Sequence, residues 1–424
     1  EYMKLSRRQF IRTTAASAVI APNIIPESAW ANKPSERINL GFIGFGRMNS
    51  SHLNFFLGQA DCRVVSIAEV AKVRLDEAIN RVAGKYGTGH GCRAYNDFRN
   101  IIGDVSVDAV VIGTPDHWHA MPAIMAADVK KDIYCEKPLT VTIRAAREII
   151  KAARRNNIVF QVGSQQRTEY GGKFRQAVES VRNGRIGEVK KVKIGVGAPA
   201  VPCDLSTESK PDGIDWEMWL GPAPERGFNQ ILCPVDMHRH FPQWRRYQEY
   251  AGGGLSDMGA HHFDIAKWAM DLDETIPMKV IPPKEGNSGL RMVYANGVEF
   301  IHEVTGDKFN DCVFYGSEGT LYVDRRGIDA KPKKAITSPF GKDAWRLPEI
   351  GKSHRRNWID CIRSRKRPVA DVSYGAHTSI LCSIANIGYQ TRQELQWDSK
   401  SYSCNRKLGN DLANRQGRGN WKYT

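Results

Sequence analysis

Apolar runs and helical spacings alternate along residues 32–163, a pattern typical of parallel strands joined by helices. Three near-continuous apolar runs predict strands that are buried on both faces: 37–43, 63–68 and 107–113. Helical spacing follows the first run from Ser50 and the second run over 74–86. This order predicts an α/β domain built on a parallel sheet.

After residue 163 the pattern changes to alternating apolar and polar positions. The stretch 189–194 alternates in this way and predicts a strand with one face in water. Further strands are predicted at 289–294, 298–303, 311–315 and 319–324. We therefore expect a second domain over 164–398 with an antiparallel sheet. Two helices over 354–392, separated by Pro368, are expected to pack back between the domains.

The composition is that of a soluble globular protein, with 41% hydrophobic and 25% charged residues, and it excludes disorder, collagen and coiled coil as overall descriptions. The net charge of +15 is spread along the chain without a zinc-finger or RNA-binding signature, so we expect no nucleic-acid partner. The basic tail, residues 399–424, is predicted to be a flexible, solvated end. Contact of this tail with a partner or an anionic surface is the alternative.

Nine cysteines are scattered along the chain, and no two of them have the Cys-x-x-Cys spacing. The odd number and the length of the chain argue against both a zinc ribbon and a disulfide framework. We expect reduced thiols and folding in a reducing compartment.

Residues 1–31 carry the signals of an exported leader in their usual order. Arg7 and Arg8 lie in a stretch that resembles the twin-arginine export signal, a weakly apolar run follows at 13–25, and Ala29-Trp30-Ala31 has the form of a cleavage site. The apolar run is shorter than the ~20 residues of a membrane span. We expect the twin-arginine export machinery to carry the folded protein to the periplasm. An accidental arginine pair in a disordered leader is the alternative.

The first predicted strand runs into the glycine turn Gly44-x-Gly46. This spacing begins the dinucleotide fingerprint, in which the turn brings the backbone close to a pyrophosphate at a helix N-terminus. Asn49 stands where the fingerprint has glycine or alanine, so we expect either looser helix packing or a helix cap by Asn49. Glu69 ends the second strand at about the ~20-residue distance expected for the acid that binds the adenosine ribose. This acid favours NAD, while Arg74 leaves NADP as an alternative.

Two further polar segments follow predicted strands. The turn Thr114-Pro115-Asp116-His117-Trp118-His119 follows the third strand, at the sheet edge where ligands bind in such folds. Its tryptophan and histidines could equally serve packing and capping. Glu136-Lys137-Pro138 follows a short strand at 132–135, where a lysine beside a nicotinamide can hydrogen-bond a substrate hydroxyl. A surface Glu–Lys pair is the alternative.

Three glycines precede a predicted helix in the second domain. On this helix Asp257, His261 and Asp264 stand at i, i+4 and i+7, so one face carries all three. Histidine can take a hydroxyl proton, while Asp257 can hold its ring and stabilise the imidazolium. The alternatives are a metal site that adds His238 or His240, and a histidine satisfied in a helix interface.

The order of these motifs resembles that of the Gfo/Idh/MocA oxidoreductases, and the likeness extends from about Arg37 to Asp398. The resemblance implies an N-terminal Rossmann domain and a C-terminal α/β domain with one large, mostly antiparallel sheet that supports a homo-oligomer, a dimer or tetramer. It implies catalytic roles for Lys137, Asp257 and His261. The residues predicted to bind the cofactor are Gly44, Phe45, Gly46, Arg47, Met48, Glu69, Arg74, Thr114, Pro115, Asp116, His119, Glu136 and Lys137. The residues predicted to contact substrate are Arg167, His238, His240, Trp244, Arg245, Asp257 and His261.

The motifs and the resemblance predict an NAD(P)-dependent oxidoreductase that acts on a sugar, a sugar derivative or a cyclitol. Aromatic and basic side chains between residues 216 and 250 suit a carbohydrate ring, although core packing is expected for Trp216 and Trp219. An exported enzyme has no free NAD to draw on, so we hypothesise a tightly bound cofactor that is recycled in place. Recycling would reduce a second substrate, or it would serve a glycosidase that forms a transient keto-sugar, eliminates the glycoside and returns the hydride. A non-catalytic nucleotide-binding sensor is the remaining alternative.

Overall fold

A computed structural model describes residues 36–235, 242–305, 311–351 and 353–422. The predicted leader at 1–31 lies outside these residues, as do His238 and His240. Within the described ranges, no helix combines the length and the apolar character needed to cross a membrane.

The first domain contains six parallel strands. Its strands are β1 Ile38–Ile43, β2 Cys62–Ala68, β3 Arg93–Tyr95, β4 Ala109–Ile112, β5 Asp132–Cys135 and β6 Phe160–Val162. Its helices are α1 Arg47–Leu57, α2 Lys72–Tyr86, α3 Arg99–Gly103, α4 Ala120–Asp128 and α5 Ile143–Arg155. The strand order β3-β2-β1-β4-β5-β6 is that of a Rossmann sheet, so the prediction for this domain is confirmed. The order reverses between β1 and β4, which leaves a crevice at their carboxyl ends.

The second domain contains a nine-stranded sheet. Its strands are β7 Val189–Val196, β8 Lys279–Ile281, β9 Leu290–Val293, β10 Glu299–Val304, β11 Cys312–Gly316, β12 Gly319–Val323, β13 Ile328–Lys331, β14 Leu395–Asp398 and β15 Ser403–Cys404. The order is β13-β12-β11-β7-β10-β9-β8-β14-β15, and every neighbouring pair is antiparallel except β7 with β10. The predicted large, mostly antiparallel sheet is therefore confirmed.

Helices cover one face of this second sheet. The helices that follow β6 are α6 Lys173–Arg182, α7 Trp216–Leu220, α8 Gly253–Ala269, α9 Lys334–Thr337, α10 His354–Ser364, α11 Val372–Thr391 and α12 Lys407–Ala413. Among them α6, α8 and α11 pack on the sheet, and α11 also packs on α5 of the first domain. One apolar core consequently runs from the α5 side of the Rossmann sheet to the second sheet.

Helix α10 completes the core of the first domain. The ring of Trp358 is fully buried, and it lies edge-on to Phe56 and to Tyr134 with a centroid distance of 5.7 Å in each case. Ile359 joins the same cluster. The core on this face of the Rossmann sheet is therefore built from two separate stretches of the chain.

The tail is ordered against both domains, so the prediction of a flexible, solvated end is wrong for residues 399–422. Strand β15 pairs with β14, and Arg415 Nη2 donates a hydrogen bond to the carbonyl oxygen of Gln248 at 2.9 Å. The ring of Trp421 packs on that of Trp118 with centroids 4.8 Å apart. Apolar side chains of the tail provide this packing. Because basic residues surround them in the sequence, the composition of the tail did not indicate that it packs on the domains.

All nine cysteines are unpaired thiols, and seven of them are buried. Burial raises the pKa of Cys62 and Cys382 to about 12 in each case. These thiols are therefore protonated and unreactive near neutral pH.

Candidate active site

The glycine turn brings two loops of the first domain into close contact. Gly44 has φ +79°, a conformation that favours glycine, and a Cβ there would lie 2.9 Å from Thr114 Cγ2 and 3.1 Å from Thr114 Cα. Gly46 is the N-cap of α1. The turn thus leaves backbone and a helix N-terminus at the crevice, as a dinucleotide pyrophosphate requires.

Asn49 fastens this turn instead of capping the helix, so the prediction of a cap is wrong. Its Nδ2 donates to the carbonyl oxygens of Gly44 and Ile43 at 2.6 and 3.2 Å. Room for the larger side chain comes from Gly113 after β4, where a Cβ would lie 2.4 Å from Asn49 Cγ. The packing of α1 on the sheet, which Asn49 was expected to loosen, is therefore maintained because Gly113 leaves room for the Asn49 side chain.

Glu69 lies at the end of β2 and joins the glycine turn to the second strand. Its Oε2 accepts from the backbone N–H of Phe45 at 2.7 Å, and its Oε1 accepts from that of Ala71 at 2.9 Å. Arg74 Nη1 lies 3.8 Å from the same Oε1, while Arg74 Nη2 donates to the carbonyl oxygen of Pro234. The Phe45 side chain belongs to the core, so of this predicted cofactor residue only the backbone lies at the turn.

The turn after β4 attaches the first domain to the second. Trp118 Nε1 donates to the carbonyl oxygens of Met218 and Trp219 at 2.8 and 2.9 Å. His119 lies between two carbonyl oxygens, 2.8 Å from that of Pro138 and 3.0 Å from that of Thr114. Both side chains therefore position the wall of the site.

Buried hydrogen bonds hold the Glu136 carboxylate in the wall of the site. The residues that form them, His52, Arg355 and Gln165, were not predicted from the sequence. Arg355 Nε donates to His52 Nδ1 at 2.6 Å, so the proton of His52 is on Nε2, which donates to Glu136 Oε1 at 2.8 Å. Gln165 Nε2 donates to the same oxygen at 2.8 Å. Burial raises the pKa of Glu136, but the hydrogen bond from His52 and the charge of Lys137 outweigh it, so the pKa is lowered and the group is a carboxylate.

Lys137 and Asp257 meet across the domain boundary. The ammonium donates to Asp257 Oδ1 at 2.8 Å and to the backbone carbonyl oxygen of Asp257 at 2.9 Å. Arg245 Nε lies 3.6 Å from the same carboxylate oxygen. Burial raises the pKa of Asp257, but Lys137 and Arg245 together outweigh it and lower that pKa. Asp257 is therefore an anion that positions Lys137.

His261 lies one helical turn after Asp257 and is buried. Burial first, and then the positive charges of Lys137 and Arg325, lower the pKa of His261 well below its ordinary value. The ring is consequently neutral near pH 7. Its Nδ1 has no hydrogen-bond partner among the described residues, so the predicted contact in which Asp257 holds the histidine ring is wrong. The carboxylate binds the lysine instead.

The pKa of Asp116 is raised, whereas that of Asp257 is lowered. Burial raises its pKa to about 8, Asp257 adds to the rise, and Arg245 and Lys137 oppose it. Asp116 is therefore protonated at neutral pH and adds no negative charge to the site.

Arg167 and Asp264 form a structural pair, so the prediction that Arg167 contacts substrate is wrong. Arg167 Nε and Nη2 each donate to the Asp264 carboxylate at 2.8 Å, and Nη2 also donates to Asp273 Oδ1 at 2.6 Å. The guanidinium lies between the rings of Trp268 and Tyr374, 4.8 Å from each centroid. With Asp264 and Asp257 both paired to cations, the described part of the chain shows no group of three acid, histidine or cysteine side chains that could hold a metal ion.

The opposite wall comes from the second domain. Arg245 packs over the ring of Trp244 with its Cζ 4.3 Å from the centroid, and both residues line the cavity. Their contact with substrate stays a prediction. Trp216 and Trp219 stack on each other, 4.7 Å apart, in an apolar cluster. Arg325, on the turn between β12 and β13, also lines the site. Nothing in the sequence near Arg325 signals this position, which depends on the folding of a distant hairpin.

One cavity of about 390 Å³ joins the glycine turn, Glu69, the Lys137–Asp257 pair and His261. It is lined by Gly44, Gly46, Arg47, Met48, Glu69, Arg74, Thr114, Pro115, Asp116, His119, Glu136, Lys137, Trp244, Arg245, Asp257, His261 and Arg325, among others. Three buried polar atoms of its lining residues, Arg74 Nε, Thr114 Oγ1 and His261 Nδ1, have no partner in the described structure. The glycine turn, the acid at β2 and these unsatisfied atoms fit a bound dinucleotide.

The fold and the cavity define an NAD-binding Rossmann protein with a second α/β domain. Two family profiles match the chain: Oxidoreductase family, NAD-binding Rossmann fold, over residues 38–164, and Oxidoreductase family, C-terminal alpha/beta domain, over residues 200–423. The chain belongs to the Gfo/Idh/MocA oxidoreductase family.

Individual relatives are distant. Myo-inositol 2-dehydrogenase of Thermotoga maritima is 24% identical over 55% of this chain and 55% of its own length. A glycosyl hydrolase family 109 protein of Stenotrophomonas maltophilia is 23% identical over 62% and 61%. The chain thus matches little more than half the length of these relatives. The structure of a levoglucosan dehydrogenase in complex with NADH and L-sorbose shares the fold, with a TM-score of 0.59, 20% identity, and coverage of 85% of this chain and 99% of that one.

Proposed function

We propose that the protein is an NAD-dependent dehydrogenase that oxidises a hydroxyl-bearing carbon of a sugar or cyclitol. The observation that carries this proposal is the single cavity in which the glycine turn and Glu69 lie together with Lys137, Asp257 and His261. Bound NAD would supply the hydride acceptor. The names of the inositol and levoglucosan dehydrogenases support the substrate class.

The side chains of the cavity have separate roles in this proposal. Lys137, held by Asp257, hydrogen-bonds the substrate hydroxyl and lowers the cost of its deprotonation. The neutral imidazole of His261 would accept the hydroxyl proton. Trp118 and Trp244 line the same cavity and would help to exclude water from the reacting carbon.

We also propose that the leader at 1–31 directs export and that the nucleotide stays bound after export. The first experiment is to produce the protein with its leader, denature it, and identify any released nucleotide by mass spectrometry. Near-stoichiometric NAD(H) or NADP(H) is expected. A protein that is empty and binds NAD only weakly would count against a resident cofactor.

Redox-neutral cleavage of a glycoside is the second candidate, and the similarity to a glycosyl hydrolase family 109 protein favours it. A panel of glycosides and free sugars separates the two functions. Release of the aglycone without net formation of NADH indicates the glycosidase, whereas NADH that accumulates with a free sugar indicates the dehydrogenase. A sensor without catalysis would bind the nucleotide and give neither signal.

We propose a homo-oligomer built on the face of the second sheet that the helices leave uncovered. Lys193 and Glu303 pair on this face at 2.6 Å, and Tyr322 is exposed in the same row two strands from Lys193. Light scattering coupled to gel filtration tests this, and a dimer or tetramer is expected.

A further inference from the structure

Arg325 is directed into the active-site cavity by the hairpin of β12 and β13. In this turn Asp324 accepts hydrogen bonds from the backbone N–H groups of Arg326 and Gly327 at 2.7 and 2.8 Å, and from Arg326 Nε at 2.6 Å. Asp324 therefore binds Arg326 and does not form an ion pair with Arg325. Arg325 lines the cavity that also contains Lys137 and His261.

Neutral groups hold the Arg325 side chain in place. Its Nε donates to Gln166 Oε1 at 2.9 Å, and its Cζ lies 4.9 Å from the ring centroid of Tyr170. Within residues 36–235, 242–305, 311–351 and 353–422, no carboxylate forms an ion pair with Arg325. The amide and the ring fix one edge of the guanidinium without neutralising its charge.

The carboxylates of the cavity are bound by other residues. Asp257 is paired with Lys137, and the charges of Lys137 and Arg245 lower its pKa more than that of Arg325 does. Glu136 accepts hydrogen bonds from His52 and Gln165, and Glu69 lies beside Arg74 at the nucleotide end. Asp116 is neutral at pH 7 because burial raises its pKa to about 8. A half-buried guanidinium that no carboxylate of the described residues binds directly is costly, and its planar fork matches an anionic group that binds through two oxygens.

We propose that the substrate is a sugar that carries an anionic group, a carboxylate or a phosphate ester, which binds Arg325. This inference rests on the proposed dehydrogenase function. It assigns Arg325 as a residue that determines specificity, in addition to the residues that handle the hydroxyl proton.

The test compares matched sugars with the full-length protein and saturating NAD. D-Glucose, D-glucuronate and D-glucose 6-phosphate form one set, and the galactose and mannose series form two more. We expect one acidic member to exceed its neutral partner at least tenfold in kcat/KM. Arg325→Gln should lower the acid-to-neutral ratio by about 10- to 100-fold, mainly through KM, as expected for one charge-assisted contact. The two acidic arms distinguish a carboxylate from a phosphate.

Arg291→Gln is the control, because this half-exposed arginine pairs with Glu299 and lies outside the cavity lining; the acid-to-neutral ratio should not change. The affinity of each sugar for the NAD-loaded protein, measured by calorimetry, tests the inference even if no sugar is oxidised. Equal affinities for the neutral and the acidic sugars would overturn it, and so would an equal loss of affinity for both in Arg325→Gln. Oxidation of neutral sugars alone would overturn the inference and leave the proposed function intact. Tight binding of an acidic sugar without any oxidation would instead contradict the dehydrogenase.

Discussion

The Lys137 ammonium binds the side chain and the backbone of Asp257 at once, at 2.8 and 2.9 Å, across the boundary between the two domains. The lysine follows β5 of the first domain, and the aspartate lies on α8 of the second. The position of the amine in the cavity therefore depends on how both domains pack. An open side of the pair remains for ligand, since 13% of the lysine and 31% of the aspartate side chain is exposed.

Lys137→Met should lower kcat by at least about 100-fold, because the hydroxyl loses the group that eases its deprotonation. The decrease is measured as NADH formation with any substrate found in the panel. NAD affinity and the melting temperature should change little, which separates loss of chemistry from loss of the fold. Turnover within threefold of the original protein would exclude the assigned role.

Glu69→Gln should weaken NAD and narrow the preference for NAD over NADP. The amide oxygen can still accept from the Phe45 N–H, while the Ala71 N–H loses its acceptor and the negative charge that repels a 2′-phosphate is removed. We expect a ratio of NADP to NAD dissociation constants that falls about tenfold, measured by fluorescence titration. Arg74→Gln is the companion variant and should weaken the binding of NADP more than that of NAD. An unchanged ratio of the two dissociation constants in both variants would show that neither residue contacts the adenosine ribose.

Lys267→Met should stabilise the protein in a pH-dependent way. Lys267 is fully buried, its Nζ has no hydrogen-bond partner among the described residues, and burial lowers its pKa from 10.5 to about 7 despite the nearby charges of Asp273 and Asp264. Arg167 adds to the lowering, and Cys382 on α11 opposes it. As the pH falls from about 10.5 to 7, the unfolded chain binds a proton that the folded chain does not, so the folded state loses stability.

The gain from Lys267→Met is therefore expected to be on the order of a few kcal/mol at pH 7 and to fade towards pH 10.5. Urea unfolding at pH 7 and pH 10 measures it. Lys407→Met, at a lysine that is 89% exposed, is the control and should show neither effect. A gain of equal size at both pH values would indicate better packing and not the removal of a buried charge.

Trp421→Ala should make the cavity wall less rigid, because it removes the ring that packs on Trp118. Trp421 packs on Trp118, and Trp118 in turn binds the carbonyl oxygens of α7. We expect a loss of about 1–3 kcal/mol in the free energy of unfolding and a several-fold weaker NAD affinity. Leu408→Ala, at a leucine that is 56% exposed, is the control for a substitution in the same tail. An unchanged NAD affinity in Trp421→Ala would show that the tail does not support the site.

Patterns that depend on neighbours along the chain were predictable from sequence. The buried strands, the glycine turn and Glu69 follow from local periodicity and from spacing within one βαβ unit. Lys137 and Asp257 were predicted in the same site through the resemblance, and the structure brings them into contact.

Pairings between distant segments were not predictable. The spacing of Asp257, His261 and Asp264 places them on one helix, but it does not tell which cations they meet. Asp257 binds Lys137 and Asp264 binds Arg167, since those arginine and lysine side chains arrive from other elements. Arg325 was missed for the same reason, because its position depends on a hairpin that only the folded sheet places beside the cavity.

The contribution of α10 to the first domain has a consequence for how the protein is made and redesigned. The six strands of the Rossmann sheet leave the ribosome before Trp358 does, so Phe56 and Tyr134 lack their aromatic cover until α10 has been synthesised. A fragment cut at residue 164 would expose this apolar face to water and is expected to aggregate. A chimera that exchanges the substrate domain must therefore keep α10 with the nucleotide-binding half.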